Sequence, residues 1–314
     1  MLQRIGVIGG GTMGHGIAAA FALHDLSVHL YEPSAVTRAD IVPSIKAAYD
    51  LLIEEDFITQ AEIPPALNRI QVFDELAPAV NDRDFIVEAI PERMELKQAL
   101  FTELDRLCSP ATIFATNTSS LPLAPMIAAL PDARRGRTLV THWYNPPLIM
   151  PLVEISAFGN TAAEVFEAVA SLHQKIGKRT AKILKDVPGL VANRIQQAVA
   201  REVFSLIEQG VADAADIDAA LKFGPAFRYA TTGQLEVADF GGLDIWLTVG
   251  DNLLAVMDAS REASPLLRQK VAEGKLGVKN GAGFYRYDAA AIPTIRRAFL
   301  TRLVNQLKAS RAYS

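Results

Sequence analysis

Cysteine is almost missing from this 314-residue chain. Cys108 stands alone, so no internal disulfide can form, and with no CxxC pair or His/Cys cluster no metal site is expected. A reducing compartment follows, and the chain reads as cytoplasmic. Long hydrophobic runs are missing as well: none approaches the ~18 residues that a membrane span requires. A strand pattern begins at Arg4, which leaves no room for a targeting segment. Charge of one sign is also lacking, with 31 basic against 35 acidic residues and a net charge of -4. No strong field therefore argues for nucleic acid or a membrane surface as a partner. There is no internal repeat and no low-complexity tract. What remains is an ordinary soluble balance, 50% apolar and 21% charged, on a length that suits two domains with sizeable cores.

The first half alternates short apolar runs with helical patterns. Residues 4–8 (RIGVI) run into Gly9-Gly10-Gly11-Thr12-Met13-Gly14, and a small-residue helical pattern follows over 17–23. This is GxGxxG in its required setting, strand before and helix after. Gly9 allows the tight turn, Gly11 lets a pyrophosphate approach the backbone, and Gly14 lets the helix pack close to the strand. The helix start at Thr12 and Met13 supplies amides and a partial positive charge for phosphate. A second run, 27–31, ends at Glu32, placed to take both adenosine ribose hydroxyls. Its charge would repel a 2'-phosphate by roughly 4 kcal/mol at an effective dielectric near 20, so NAD is expected over NADP. The bland alternative is that Glu32 is a solvated strand-end charge.

Residues 34–68 read as a long helix interrupted at Pro43, an acidic turn at Glu54-Glu55-Asp56 and a short second helix projecting from the sheet. Strands over 69–73, 84–90 and 112–116 then alternate with helices over 92–107 and 121–130. The half reads as βαβ units in a parallel sheet covered on both faces. Ligands bind at the carboxyl ends of such strands, which singles out Glu88 and Glu92 after the fourth and Asn117-Thr118-Ser119-Ser120 after the fifth. Ser119 or Ser120 could equally cap the next helix.

Residues 138–155 (TLVTHWYNPPLIMPLVEI) hold one His and one Glu. Two apolar runs joined by a proline-rich turn would bring His142, at an exposed strand end, within reach of Glu154. A neutral imidazole held by a carboxylate is a general base. The alternative is an ordinary strand-end histidine beside a solvated edge charge. A helix over 162–175 and a strand over 179–184 complete the first domain, residues 1–186. Asp186-Val187-Pro188-Gly189 breaks the pattern, and residues 187–314 read as an all-helical second domain with helices over 190–209, 214–223, 243–257, 265–273 and 292–308. Asn193 falls in the first turn of the first of these. Apolar faces are extensive there, and a homodimer would bury the surplus. Lys279 stands out in the glycine-rich loop 275–287.

Several separated segments together resemble the 3-hydroxyacyl-CoA dehydrogenase family over essentially the whole length: VIGGGTMGHGI, VEAIPE, NTSSL, the His142 stretch with NP and LVEI, DVPGLVANR, EVADFGGLD and GVKNGAGFY. The resemblance implies a Rossmann-type domain with a helical dimerisation domain, the active site in the cleft between, and NAD-dependent oxidation at C3 of a 3-hydroxyacyl-CoA in fatty-acid metabolism. It implies His142 as general base, Glu154 orienting it, Ser119 bonding the substrate oxygen and Asn193 positioning the substrate. Gly9, Gly11, Thr12, Met13, Gly14 and Glu32 would hold the adenosine and pyrophosphate, and Glu92, Lys97, Asn145 and Lys279 would lie near the nicotinamide.

The chain departs from the fatty-acid members at two places. Trp143-Tyr144 stand where two Phe are usual, and HWxNPP also resembles relatives that oxidise free gulonate, carnitine or pyridine-carboxylate. The turn at Glu54-Glu55-Asp56 is short and acidic where animal members carry lysines against the coenzyme A phosphates. Glu236-Val237-Ala238-Asp239 before GGLD matches the acyl-CoA members better. The sequence favours a hydroxyacyl-CoA substrate, with a small hydroxy acid as the alternative. A non-catalytic NAD-binding structural protein is a remote third reading.

Overall fold

The glycine loop and the His142 hairpin occupy one continuous sheet in the computed structural model of this chain, which describes residues 2–313. The chain divides into two compact units, Met1–Val191 and Ala192–Ser314. The first unit runs β1 (Arg4–Ile8), α1 (Thr12–Leu23), β2 (Ser27–Tyr31), α2 (Ala35–Glu54), α3 (Ile63–Asn68), β3 (Ile70–Phe73), α4 (Leu76–Val80) and β4 (Phe85–Glu88). It continues with α5 (Met94–Leu107), β5 (Ile113–Thr116), α6 (Leu123–Met126), α7 (Asp132–Arg135), β6 (Thr138–Trp143), β7 (Leu152–Ser156), α8 (Ala163–Lys175) and β8 (Arg179–Ile183). The eight strands lie in the order β3-β2-β1-β4-β5-β6-β7-β8. Among these eight strands only β6 and β7 pair antiparallel. Strand order reverses between β1 and β4, so the crevice at their carboxyl ends is the switch point where doubly wound sheets bind ligands.

Strands β4, β5 and β6 are buried at every residue, as expected where helices cover both faces of the sheet. Helix α1 packs on the sheet through small residues, with Gly14, Gly16 and Ala18, Ala19, Ala20 and Ala22 all buried. Helix α2 passes through Pro43 rather than being interrupted there. Pro43 sits on the exposed face, and the buried Tyr49 hydroxyl donates to Ala19 O at 2.8 Å, fastening α2 to α1. The helix expected over 121–130 shrinks to the four residues of α6. Pro122 disfavours helical backbone at Leu121 and itself occupies the N-cap position. Neither Ser119 nor Ser120 caps this helix; the Leu123 amide donates to Asp186 Oδ2 at 2.7 Å.

The second unit contains α9 (Ala192–Glu208), α10 (Ala214–Phe223), α11 (Pro225–Tyr229), α12 (Gln234–Gly241), α13 (Leu243–Leu254), α14 (Pro265–Ala272) and α15 (Ile292–Ser310). Helix α9 begins two residues later than its periodicity suggests, because Gly189 (φ 82°) and Leu190 (φ 48°) take left-handed backbone. Helices α11 and α12 were not visible in the sequence pattern; they are short and are set apart by Gly224, Gly233 and Gly242. The loop 275–287 is fastened to α10 by the Tyr285 hydroxyl, which donates to Asp218 Oδ2 at 2.6 Å. Among the described residues no helix is long and apolar enough to cross a membrane.

Candidate active site

Antiparallel pairing of β6 with β7 sets His142 directly opposite Glu154. Opposed residues in such a ladder project from the same face. The result is a bond of 2.8 Å between His142 Nδ1 and Glu154 Oε2, with both residues buried, at 6% and 1% exposure. A carboxylate can only accept, so Nδ1 carries the proton and Nε2 is left as the basic atom. The other carboxylate oxygen, Oε1, accepts the Val191 amide at 2.9 Å. His142 does not sit at an exposed strand end, as its sequence pattern suggested. The strand continues through Trp143, 2% exposed, whose amide donates to Asn117 Oδ1 at 2.8 Å. Asn117 thereby ties the end of β5 to the end of β6. Its place in the NTSS segment was the available signal, but no sequence rule assigns it that bond. The Tyr144 ring stands edge-on to His142 at 5.3 Å. Burial and the negative Glu154 push its phenol up to about 12, so it stays protonated at neutral pH.

Beneath the NTSS segment lies a polar network that links β4, α5 and β5. Glu92 Oε1 accepts the Thr118 hydroxyl at 2.5 Å, the Ser119 and Ser120 amides at 3.0 and 3.1 Å, and the Ser120 hydroxyl at 3.1 Å. Lys97, 1% exposed, places its ammonium 2.6 Å from Glu88 and 3.2 Å from Glu92. Glu88 also accepts the Thr116 hydroxyl at 2.5 Å and the Ile90 amide at 2.7 Å. Burial pushes the Glu88 carboxyl up, against the pull of Lys97 and these donors. Burial also works on Glu92, but the Thr118 hydroxyl and the Lys97 ammonium outweigh it and hold Glu92 below the usual carboxylate range. Ser119 is half-buried at the edge of this network, and its carbonyl accepts the Gly189 amide at 3.0 Å.

The glycine loop has the shape a dinucleotide requires. Gly9 takes φ 103°, and a Cβ there would come within 2.7 Å of Ala89 O, so β1 and β4 approach closely at the switch point. A Cβ on Gly14 would fall 1.7 Å from Gly9 O. At Gly11, by contrast, a Cβ would meet nothing within 4 Å: the space beside it is open. Gly11 is the N-cap residue of α1, and it brings no side chain to accept from the amides at Thr12 and Met13. Glu32 Oε2 accepts the Gly10 amide at 2.8 Å and Oε1 the Ser34 amide at 2.9 Å. The carboxylate is thus fixed at the end of β2, beside the loop. An open phosphate cradle, helix-start amides and an acidic residue at the neighbouring strand end fit NAD.

The first unit therefore brings together His142 with Glu154, Ser119 with Glu92 and Lys97, and Gly9, Gly11, Thr12, Met13 and Gly14 with Glu32. Asn145 is exposed, after β6, and its peptide bond to Pro146 is cis. Asn193, in the first turn of α9, and Lys279, exposed in the 275–287 loop, belong to the second unit.

Fold and site define a dinucleotide-dependent oxidoreductase. The NAD-binding domain of 3-hydroxyacyl-CoA dehydrogenase matches residues 4–187, and the C-terminal domain of the same family matches residues 189–287. The 5-formyl-3-hydroxy-2-methylpyridine 4-carboxylate 5-dehydrogenase of Mesorhizobium japonicum is 32% identical over 306 residues, 97% of each chain. A probable 3-hydroxybutyryl-CoA dehydrogenase of Bacillus subtilis is 36% identical, covering 91% of this chain and 98% of that one. Among solved structures, a 5-formyl-3-hydroxy-2-methylpyridine 4-carboxylic acid 5-dehydrogenase superposes with a TM-score of 0.90 at 28% identity over 100% of both chains. The (S)-3-hydroxybutyryl-CoA dehydrogenase of Ralstonia eutropha gives 0.74 at 31% identity, over 92% of this chain and 100% of its own. This chain belongs to the 3-hydroxyacyl-CoA dehydrogenase family. It is an NAD-dependent dehydrogenase acting on a CH–OH group.

Proposed function

We propose that His142 is the general base for oxidation of the alcohol of a small hydroxy acid, and the acid that returns the proton in the reverse direction. The supporting observation is the buried 2.8 Å bond from His142 Nδ1 to Glu154, which leaves Nε2 to take the hydroxyl proton. Bound nicotinamide supplies the hydride acceptor. The chain's own task is to hold the hydroxyl carbon in place and remove one proton. Glu154 fixes the tautomer and stabilises the imidazolium, with its second oxygen held by Val191. Ser119 offers its hydroxyl to the substrate oxygen, and Asn193 helps position the substrate. Gly9, Gly11, Thr12, Met13, Gly14 and Glu32 hold the adenosine and pyrophosphate. Glu92, Asn145 and Lys279 serve the nicotinamide side. Lys97 acts there through Glu92, because its ammonium is buried between two carboxylates.

A free acid is placed ahead of the thioester that the sequence favours. Its support is the likeness to the pyridine-carboxylate enzyme over the whole of both chains, at a TM-score of 0.90. That likeness takes in α15, which lies beyond the residues matched by the family's C-terminal domain. The acidic end of α2, Glu54-Glu55-Asp56, is also a poor host for a coenzyme A phosphate. The hydroxyacyl-CoA reading keeps its own support in the Bacillus subtilis relative and the Glu236–Asp239 segment. The deciding experiment compares NADH oxidation with acetoacetyl-CoA against NAD-linked turnover of free hydroxy acids, including gulonate, carnitine and hydroxymethyl-pyridine carboxylates. Rapid turnover of a free acid with little on the thioester is expected, and the reverse would restore the acyl-CoA assignment. Tight NADH binding with no turnover on either would leave a structural protein. His142→Gln should lower kcat by about 10² to 10⁴ while NADH binding persists; normal turnover would remove His142 from the mechanism.

The second unit exposes Phe223, Phe227, Leu235, Phe240, Leu247 and Leu254 at 66–84%. A second copy of the chain is the partner we assign to this apolar surface.

A further inference from the structure

Lys178 is a buried cation whose hydrogen-bond partners are all carbonyls. It stands between Gly177 and the first residue of β8, 6% exposed. Its ammonium donates to the carbonyls of Pro147 at 2.6 Å, Met150 at 2.9 Å and Leu148 at 3.4 Å. The Trp143 ring presents its face 5.2 Å away. Three acceptors call for three N–H donors, which an ammonium has and a neutral amine lacks. Burial pulls the Lys178 pKa down to about 7, and the carbonyls and the ring face are what favour the charge there.

Those carbonyls belong to the turn that leaves β6 directly after His142, Trp143 and Tyr144. The turn is fixed from other sides too. Pro146 O accepts the Met150 amide at 2.9 Å and the Ile149 amide at 3.1 Å, and Pro151 O accepts the Arg179 amide at 2.8 Å. On its far side the turn meets the helix that opens from the glycine loop: a Cβ at Gly16 would sit 2.5 Å from Pro147 Cγ. Residues 145–150 are therefore wedged between α1 and the lysine. One end of the wedge is the strand that carries His142.

We propose that Lys178 is a positioning residue for the dehydrogenation: its ammonium clamps the 145–150 turn onto α1 and so sets Asn145 and the end of β6 relative to the glycine-loop helix. The inference rests on the dehydrogenase reading of His142. Lys178 acts through the turn rather than on the substrate.

Lys178→Met keeps most of the stem and removes every donor. In this variant kcat per folded enzyme should fall by up to about 10², the scale of a small misplacement of reacting groups, while the NADH dissociation constant stays within about threefold. A purely structural lysine would lower thermal stability and leave kcat per folded enzyme where it was. Hydrogen exchange at the Ile149 and Met150 amides reads the clamp without turnover and should speed up by about tenfold or more. Lys178→Gln, which keeps two donors, should recover part of the lost kcat, and it takes the place of the Met variant if that one does not fold. Unchanged exchange overturns the clamp. Faster exchange with unchanged kcat overturns the positioning role. A wild-type protein that turns over no hydroxy acid would overturn the dehydrogenase reading and the positioning role with it, while the exchange rates would still report whether the lysine holds the turn.

Discussion

His173 shows how far burial alone can move a single group. It is fully buried in α8 with Nδ1 donating to Val169 O at 2.7 Å, among the rings of Phe21, Phe85 and Trp143. Burial pushes its pKa down to about 4, against about 6.5 for an unfolded histidine. Between those values the unfolded chain binds more protons, so this stability is fully present above pH 6.5 and is lost as pH falls toward 4. The loss is on the order of 3 kcal/mol. Urea melts of the wild type and His173→Leu should diverge in their pH dependence across this window, the variant being flatter. Parallel curves would put the acid sensitivity elsewhere. Glu32 carries the second prediction at this scale. With its carboxylate fixed by the Gly10 and Ser34 amides, a 2'-phosphate would meet a negative charge that cannot easily turn away. Glu32→Arg should therefore shift preference from NADH to NADPH. A variant that still binds NADH better would show that this position does not read the ribose.

Helix α5 is coupled through Lys97 to the carboxyl end of β4 and to the segment after β5. Lys97 lies on its buried face and bridges Glu88, at the end of β4, to Glu92, which gathers the 118–120 backbone. Removing one partner of a buried ion pair leaves the other uncompensated, at a cost of about 3–5 kcal/mol. Lys97→Met should destabilise the protein by that amount in urea melts and loosen the Ser119 segment, seen as faster amide exchange at Ser119 and Ser120. A loss below about 1 kcal/mol would mean that Glu88 simply takes up a proton at little cost.

At the scale of the whole molecule the prediction concerns association. Apolar side chains as large as Phe240 and Leu235 stand 84% exposed in the second unit, and a second copy of the chain is the proposed cover for them. Light scattering at micromolar concentration should give twice the 34.0 kDa chain mass. Leu235→Glu with Phe240→Glu should shift it toward monomer. A monomeric wild type would leave this surface to some other partner.

Patterns that depend on neighbours in the chain were legible without the structure. The eight strands, the glycine loop and Glu32 follow from apolar runs, turn residues and short-range spacing, because strand, turn and helix start are set by local backbone preferences and by period. The same holds for pairing His142 with Glu154, since a short hairpin leaves few registers. What the sequence could not give is what its side chains meet. Lys97 was singled out only through the family resemblance and Lys178 not at all, yet one lies between two carboxylates and the other under three carbonyls. For Ser119 and Ser120 the sequence left helix capping open beside a role in the site, and Pro122 and Asp186 took the capping place. Asn117 had no partner in sequence; folding brought it to Trp143, 26 residues away. Burial, charge pairing and hydrogen-bond partners are properties of assembled space, and tertiary structure decided them because the groups involved come from strands and helices that touch only once the sheet has formed.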